Sequence, residues 1–224
     1  MILDWRALQA DPPPAWKRSP GKSPRAKIVG GKVVRRDLAL VTSVMLHQTD
    51  CVYGVSKSQI IQAGGDPVLA RNRRLQGIPA HLVAARDGTA ILNAPASWYL
   101  YHGNAANDFS LGVEVEGSYD GRRNKGQVPT ILLESLRLGL IELVRLARAE
   151  GAVNLRYAIA HRQSNGGKPG DPGCELWQFY EALCGELELE PQYDLVIPPT
   201  KGTSTKPGRP IPKDWSPKAR APYL

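Results

Sequence analysis

A nearly continuous apolar run, LALVTSVMLH, occupies residues 38–47 and ends in a histidine. Runs of this length that are rich in valine and leucine are typical of a central strand with both faces buried. Such a strand lies inside a sheet and not at its edge. The run therefore predicts a core built around a sheet, with His47 at the point where the central strand ends.

Further strand patterns follow along the chain. The segment PAHLVAARDGTAILNA contains two short apolar runs joined at Asp87 and Gly88, a dipeptide that favours a hairpin. Residues 109–117, FSLGVEVEG, alternate with a period of two, which is typical of another strand. Between these and the first run, residues 56–77 show a weak helical pattern that is interrupted by breakers.

The clearest helix pattern covers residues 130–150, where leucine and isoleucine recur every three and four positions. Thr130 is the predicted N-cap, and Gly151 stands directly after the last periodic residue. Residues 154–161 predict a strand, and residues 174–187 predict a final amphipathic helix. The mixture of strands, helices and a hairpin predicts an α/β fold, with a mixed central β-sheet flanked by helices in one domain.

Proline-rich, basic segments flank this body. We predict an N-terminal extension over residues 1–36, a folded domain over 37–190 and a C-terminal tail over 191–224, both extensions being weakly structured. Residues 17–36 hold eight Lys or Arg and no acidic residue. The central domain holds 14 basic and 17 acidic residues, so the formal charge of +8 comes from the extensions. Such extensions favour polyanions, although they also serve as solubilising termini in many proteins.

Composition excludes several classes of protein. No stretch approaches eighteen consecutive apolar residues, which excludes a membrane-spanning helix. The N-terminus lacks a basic region followed by an apolar one, so we expect synthesis in the cytoplasm without a signal peptide. Three cysteines without framework spacing argue against a disulfide-stapled secreted domain.

Three side chains form a candidate metal site. His47 and His161 each stand where a predicted strand gives out into a loop, and Asp171 follows ten residues after His161 on a loop stiffened by prolines. Catalytic zinc sites use three protein ligands and keep a fourth position for water. Residue types and spacing alone leave open that each histidine is an ordinary hydrogen-bonded polar group.

Glu114 and Glu116 lie on the same face of the strand predicted over residues 109–117. A carboxylate that faces a core without a partner costs several kcal/mol, so at least one of them requires a partner or a chemical task. The fitting task is that of a general base toward a water molecule activated by the metal. The alternative is that both face solvent from an edge strand.

Four motifs in order, AHLVAARDG, YHG, NDFSLGVEVEG and AHRQSNGGKPGDPG, together with VMLHQTD, resemble the zinc-dependent N-acetylmuramoyl-L-alanine amidase family over residues 40–185. That family includes a muropeptide-recycling amidase and phage lysins, and peptidoglycan-recognition proteins share its fold. The resemblance implies Zn²⁺ as cofactor, with His47, His161 and Asp171 as its ligands. It implies Glu114, and not Glu116, as the catalytic glutamate.

The implied reaction is hydrolysis of the amide between N-acetylmuramic acid and L-alanine in peptidoglycan. Lys168 matches the family's catalytic lysine, but it precedes the aspartate by three positions, where the recycling type has two. Among groove residues, His102 is the expected substrate contact. Asn107 and Trp98 are further candidates for the groove, although aromatic side chains near a hairpin more often belong to the core. For His81 a substrate contact and a structural role remain equally open.

Other functions remain as alternatives. A non-catalytic peptidoglycan-binding module is the first, but such modules typically lack the third metal ligand, which Asp171 supplies here. Nucleic-acid binding is disfavoured, because the basic residues lie in proline-rich flanks without a recognisable module. Between a cytoplasmic recycling amidase and a phage-type lysin, the basic flanks favour the lysin, since they suit anionic cell-wall or outer-membrane polymers. We expect a monomer that reaches the wall after holin-type release or virion delivery.

Overall fold

The computed structural model describes residues 1–7, 11, 25–119, 127–200 and 206–215. Most of the proline-rich stretches that the sequence predicted to be weakly structured lie outside these described residues. The domain boundaries at residues 36 and 190 stay a prediction.

The core is a mixed sheet, as the sequence predicted, and it has seven strands. Counting a separate two-stranded hairpin, the strands of the described residues are β1 (Ile2–Asp4), β2 (Ile28–Val29), β3 (Lys32–Val33), β4 (Ser43–Gln48), β5 (Leu82–Ala84), β6 (Ala90–Leu92), β7 (Ser110–Val115), β8 (Tyr157–Ala160) and β9 (Glu190–Pro191). The sheet has the order β1-β6-β5-β7-β4-β8-β9, and β2 pairs with β3 in a separate hairpin. In the large sheet only β5 and β6 are antiparallel; the other neighbouring pairs run parallel.

The predicted central strand is confirmed as β4, but it begins only at Ser43, because Leu38–Leu40 form a 3-10 helix. All six of its residues are buried, and it pairs in parallel with β7 on one side and with β8 on the other. The predicted hairpin is confirmed as well: Gly88 has a φ of +87°, a conformation that glycine adopts without strain.

Two long helices cover one face of the sheet. They are α3 (Thr130–Ala149) and α4 (Cys174–Leu187), and the shorter α1 (Lys57–Gln62) and α2 (Pro67–Gln76) fall in the stretch with a weak helical pattern. Gly139 lets α3 approach the sheet closely, because a Cβ there would lie 2.9 Å from Leu82 Cδ1. Thr130 is not the N-cap: Pro129 holds the extended cap position without a capping side chain, and Thr130 is the first helical residue.

Alternate residues of the central strands face opposite layers. Val44 and Leu46 of β4 belong to the main core with α3 and α4, whereas Met45 packs with Ile159 on the other face. Because side chains alternate along a strand, His47 also lies on the face away from the two long helices. The short 3-10 helix Asn104–Asp108 packs on this face through Ala106, next to Met45. The candidate site lies on the same face of the sheet.

Parts of both predicted extensions pack on the sheet. β1 pairs with β6, and Ile211 belongs to the main hydrophobic core. Near the site, the amides of Ile197 and Arg209 donate to the carbonyls of Gln163 and Arg162, at 2.8 Å each. Composition did not predict these contacts, because proline-rich segments can still pack through isolated apolar residues and backbone hydrogen bonds. In the part of the chain that the structure describes, no helix is long and apolar enough to cross a bilayer.

The close approach of Gly208 to the loop after His161 gives a first prediction. A Cβ at Gly208 would lie 1.7 Å from the carbonyl oxygen of Gln163, so the substitution Gly208→Ala requires a backbone shift. We expect it to lower the free energy of unfolding by about 1–3 kcal/mol, as overpacking does. Urea denaturation of the full chain measures the change.

The matched control is Gly185→Ala, on an exposed surface of α4 where nothing lies within 4 Å of the added carbon. There alanine should stabilise the helix by about 0.5–1 kcal/mol. Equal stability of the Gly208→Ala variant and the wild-type chain would mean that residues 206–211 do not rest against Gln163.

Candidate metal centre

The site lies where three neighbouring parallel strands end. His47 near the end of β4 is the register partner of Glu114 on β7, and His161 directly follows β8 on the other side of β4. Parallel strands bring their carboxyl ends to one edge of the sheet, which is where open α/β sheets bind ligands. The pairing of three strands therefore places two imidazoles and a carboxylate side by side.

The structure brings together the three side chains that the sequence singled out as metal ligands. One ligand atom from each of His47, His161 and Asp171 lies within 4.8 Å of the others. Asp171 Oδ2 is 2.8 Å from His161 Nδ1, and all three side chains are largely buried. Two imidazoles and one carboxylate form a ligand set that zinc uses in hydrolytic enzymes.

Gln48 holds Asp171 in place. The Gln48 amide donates to Asp171 Oδ1 at 2.8 Å, and its side chain donates to the carbonyl of Gly170 at 2.8 Å. Its Oε1 accepts from the amides of Tyr119 and Gly173, at 2.8 and 3.1 Å. The residue after the first histidine thus ties the strand end to the loop that carries the aspartate. We did not predict this role from the sequence, where the only indication is that Gln48 directly follows His47.

The ring of His47 has one free nitrogen in a buried place. Its Nε2 is 3.2 Å from His102 Nδ1, whereas its Nδ1 is buried and has no hydrogen-bond partner within the described residues. Burial, with a smaller effect of His161, lowers the pKa of His47 well below its ordinary value, so the ring is neutral. A neutral imidazole nitrogen without a partner, next to His161 and Asp171, fits a metal cation.

Glu114 and Glu116 differ in their surroundings. Glu116 is fully buried and paired: it accepts from the amides of Tyr53 and Arg86, at 2.7 and 2.8 Å, and forms an ion pair with Arg71. The expectation of an exposed pair on an edge strand is wrong, because β7 lies between β5 and β4. Glu116 therefore has a structural role.

Glu114 borders the cavity. Its Oε2 is buried and makes no hydrogen bond to any described residue. Burial raises the pKa of Glu114 well above its ordinary value, and the charge of Asp171 adds to the rise. A carboxyl group whose pKa is raised by burial beside a candidate metal site is suited to accept a proton.

A cavity of about 420 Å³ is lined by Glu114, His161 and Asp171, whereas His47 is buried and does not line it. Lys168 also lines the cavity, with Nζ 3.6 Å from Asp50 Oδ2 and the side chain partly exposed. Its wall also contains residues that sequence reasoning did not assign to the site: Arg25, Gln48, Tyr53 and Arg74. Arg25 comes from the predicted N-terminal extension, and no local pattern marked it.

Two expected substrate contacts lie elsewhere. Trp98 is 2% exposed and packs with Leu100 in a small core beneath the β2–β3 hairpin. Asn107 is buried, and its Oδ1 accepts from the amides of His102 and Gly103, at 3.0 and 2.6 Å. Neither lines the cavity. For Trp98 this is the place in the core that the sequence left open.

The two remaining histidines are also buried. His81 Nδ1 accepts from the amide of Gly112 at 3.0 Å, and its Nε2 lies 3.2 Å from the carbonyl of Trp98, so its role is structural. His102 borders the cavity, but both of its ring nitrogens contact protein atoms. Burial and the charge of Arg36 lower the pKa of His102 to about 3, which keeps this ring neutral.

No protein-family model and no curated protein matches the sequence. Solved structures are similar in fold. Bumblebee PGRP-SA superposes with a TM-score of 0.50 at 13% identity, over 85% of this chain and 97% of that one. The N-acetylmuramoyl-L-alanine amidase LysC from Clostridium intestinale gives 0.46 at 16% identity, over 85% and 99%. Peptidoglycan recognition protein-LE, solved with tracheal cytotoxin, gives 0.49 at 16% identity, over 84% and 95%. The superposition on bumblebee PGRP-SA therefore shows that the protein has the α/β fold of a peptidoglycan-recognition protein, the fold that its motifs predicted.

Proposed function

We propose that this protein is a zinc-dependent N-acetylmuramoyl-L-alanine amidase. Its substrate is the amide that joins N-acetylmuramic acid to L-alanine of the stem peptide in peptidoglycan. The observation that carries the proposal is the convergence of His47, His161 and Asp171. The last two line one cavity together with the carboxyl group of Glu114. The fold and the sequence motifs support the same substrate class.

His47, His161 and Asp171 would hold the zinc ion. When bound, zinc supplies a Lewis acid that polarises the scissile carbonyl and lowers the pKa of water toward about 7. The Nδ1 atom of His47 is buried and has no partner within the described residues, so it is available to the ion. The hydrogen bond from the backbone amide of Gln48 orients the carboxylate of Asp171.

Two further side chains transfer the proton and stabilise the developing negative charge. Glu114 takes the proton from the attacking water and passes it to the leaving amine of L-alanine. Lys168 reaches the cavity from the loop between His161 and Asp171, where its ammonium group stabilises the negative charge that develops on the carbonyl oxygen.

The buried carboxylate favours an enzyme over a binding module. An unpartnered polar atom in a buried place costs about 1–3 kcal/mol, and Glu114 Oε2 is such an atom within the described residues. A module that only binds glycan and peptide gains nothing from an unpartnered carboxylate beside a set of metal ligands. A hydrolase requires such a carboxylate, because its general base must lie next to the attacking water.

The substitution Glu114→Gln tests the base. Glutamine keeps the size and the polarity of the side chain but accepts no proton, so release of stem peptides from sacculi should fall by about 10²–10⁴-fold. Zinc content and melting temperature should stay close to those of the wild-type protein. Product release is followed by chromatography and mass spectrometry.

Glu116→Gln is the matched control, two residues away on the same segment. It breaks the buried pair with Arg71, so it should lower the free energy of unfolding by about 1.5–3 kcal/mol while the folded fraction stays active. If Glu114→Gln hydrolysed at the wild-type rate, the base assignment would be wrong.

We further propose that the protein acts as a phage-type lysin on the cell wall after release from the cytoplasm. The support is the charge of the extensions, since a wall dressed in anionic polymers attracts basic segments and a small soluble muropeptide does not require them. A cytoplasmic recycling amidase is the alternative within the same chemistry.

Replacing Lys17, Arg18 and Lys22 with glutamine tests this role. The triple variant should bind sacculi more weakly than the wild-type protein at about 0.05 M salt, and the difference should shrink at about 0.5 M because salt screens exposed charges. Hydrolysis of a soluble muropeptide should not change.

The control removes three basic residues of the central domain by the same substitution, at Lys57, Arg86 and Arg156, all exposed. If both triple variants lost wall affinity equally, net charge and not the N-terminal extension would govern binding. If neither lost affinity, the extensions would have no part in it.

A further inference from the structure

His102 engages protein atoms through both ring nitrogens. Its Nε2 is 3.1 Å from the carbonyl oxygen of Ser110, and its Nδ1 is 3.2 Å from His47 Nε2. A carbonyl oxygen only accepts, so His102 Nε2 must carry the proton of that contact. In a neutral ring, His102 Nδ1 then has a lone pair and accepts from His47.

The same logic fixes the tautomer of His47. Its Nε2 must carry the proton that His102 accepts, because one of two facing nitrogens has to donate. The lone pair of the neutral His47 ring is then on Nδ1, the buried atom without a partner among the described residues. That atom stands beside His161 and Asp171.

We propose that His102 is a positioning residue: by accepting the Nε2 proton of His47, it presents His47 Nδ1 as the ligand atom of the metal site. The inference rests on the proposed zinc function and adds a residue to it. It replaces the sequence expectation that His102 contacts substrate, since the ring is 8% exposed and has no nitrogen left for a ligand.

The surrounding chain is shaped to hold this ring. Asn107 Oδ1 binds the amides of His102 and Gly103, which fixes the backbone on which the ring is mounted. Gly112 of β7 leaves room for the ring, because a Cβ there would lie 2.5 Å from His102 Cγ. The protein thus fixes the backbone of His102, the space for its ring and the contacts of both ring nitrogens. This is expected for a group that orients a metal ligand.

A pair of variants with the same branching of the side chain tests the proposal. In His102→Asn, the side-chain oxygen stands near the position of the ring Nδ1 and still accepts from His47. In His102→Leu, the side chain has the same number of heavy atoms, but no acceptor remains. We expect His102→Leu to weaken zinc binding by about 10–100-fold and His102→Asn by much less, measured by competition with a chelator.

The second readout requires no metal. In the metal-free protein, ¹⁵N chemical shifts of labelled histidines should show His47 with its proton on Nε2 in the wild-type chain and in His102→Asn. His81→Asn is the control, because His81 is equally buried but is not hydrogen-bonded to His47; it should lower the melting temperature and leave zinc affinity unchanged.

Two results would overturn the proposal. One is a His47 proton on Nδ1 in the metal-free wild-type protein, which requires no variant to fold. The other is unchanged zinc affinity and an unchanged His47 tautomer in His102→Leu. A wild-type protein that binds no zinc but shows the expected tautomer would contradict the proposed metal function while leaving the orientation of His47 by His102 in place.

Discussion

The parallel pairing of β4 with β7 on one side and β8 on the other determines where the chemistry lies. The register sets His47 directly opposite Glu114, and β8 delivers His161 to the same edge. A slip of one residue in β4 would turn its side chains to the opposite face, so that His47 would face α3 and α4. Because Val44 and Leu46 are fully buried against those helices, the hydrophobic effect that folds the core also fixes the position of His47, a candidate metal ligand.

Some of the buried polar groups around the site form hydrogen bonds with the protein, and others do not. Gln48, Glu116 and His102 all form hydrogen bonds with the protein, and each fixes a neighbour: the aspartate loop, the turn between β5 and β6, and the ring of His47. His47 Nδ1 and Glu114 Oε2 have no partner in the described part of the chain. Since a folded protein rarely leaves such atoms unpaired, their position beside each other points to a ligand and its chemistry.

Local sequence patterns predicted the elements that periodicity governs. The strand that carries His47, the hairpin at Gly88 and the final helix are all present, although the strand is shorter than the apolar run that predicted it. The patterns also placed His47 and His161 at strand ends, and the parallel pairing of β4 with β8 brings the two histidines together.

What the sequence did not predict depends on long-range packing and on side-chain direction. Arg25 reaches the cavity from the N-terminal extension, and Ile211 reaches the core from the tail, although nothing local marks either contact. Trp98 and Asn107 stand near His102 in sequence, yet both point into the interior. Their burial could be known only from the fold.

The most direct test of the central claim is to identify the products formed from purified sacculi by the metal-free protein before and after zinc is restored. A metal-dependent amidase should release stem peptides that begin with L-alanine only in the presence of zinc. Sacculi that bind the zinc-loaded protein and remain chemically intact would contradict a hydrolytic role and would identify the protein as a binding module.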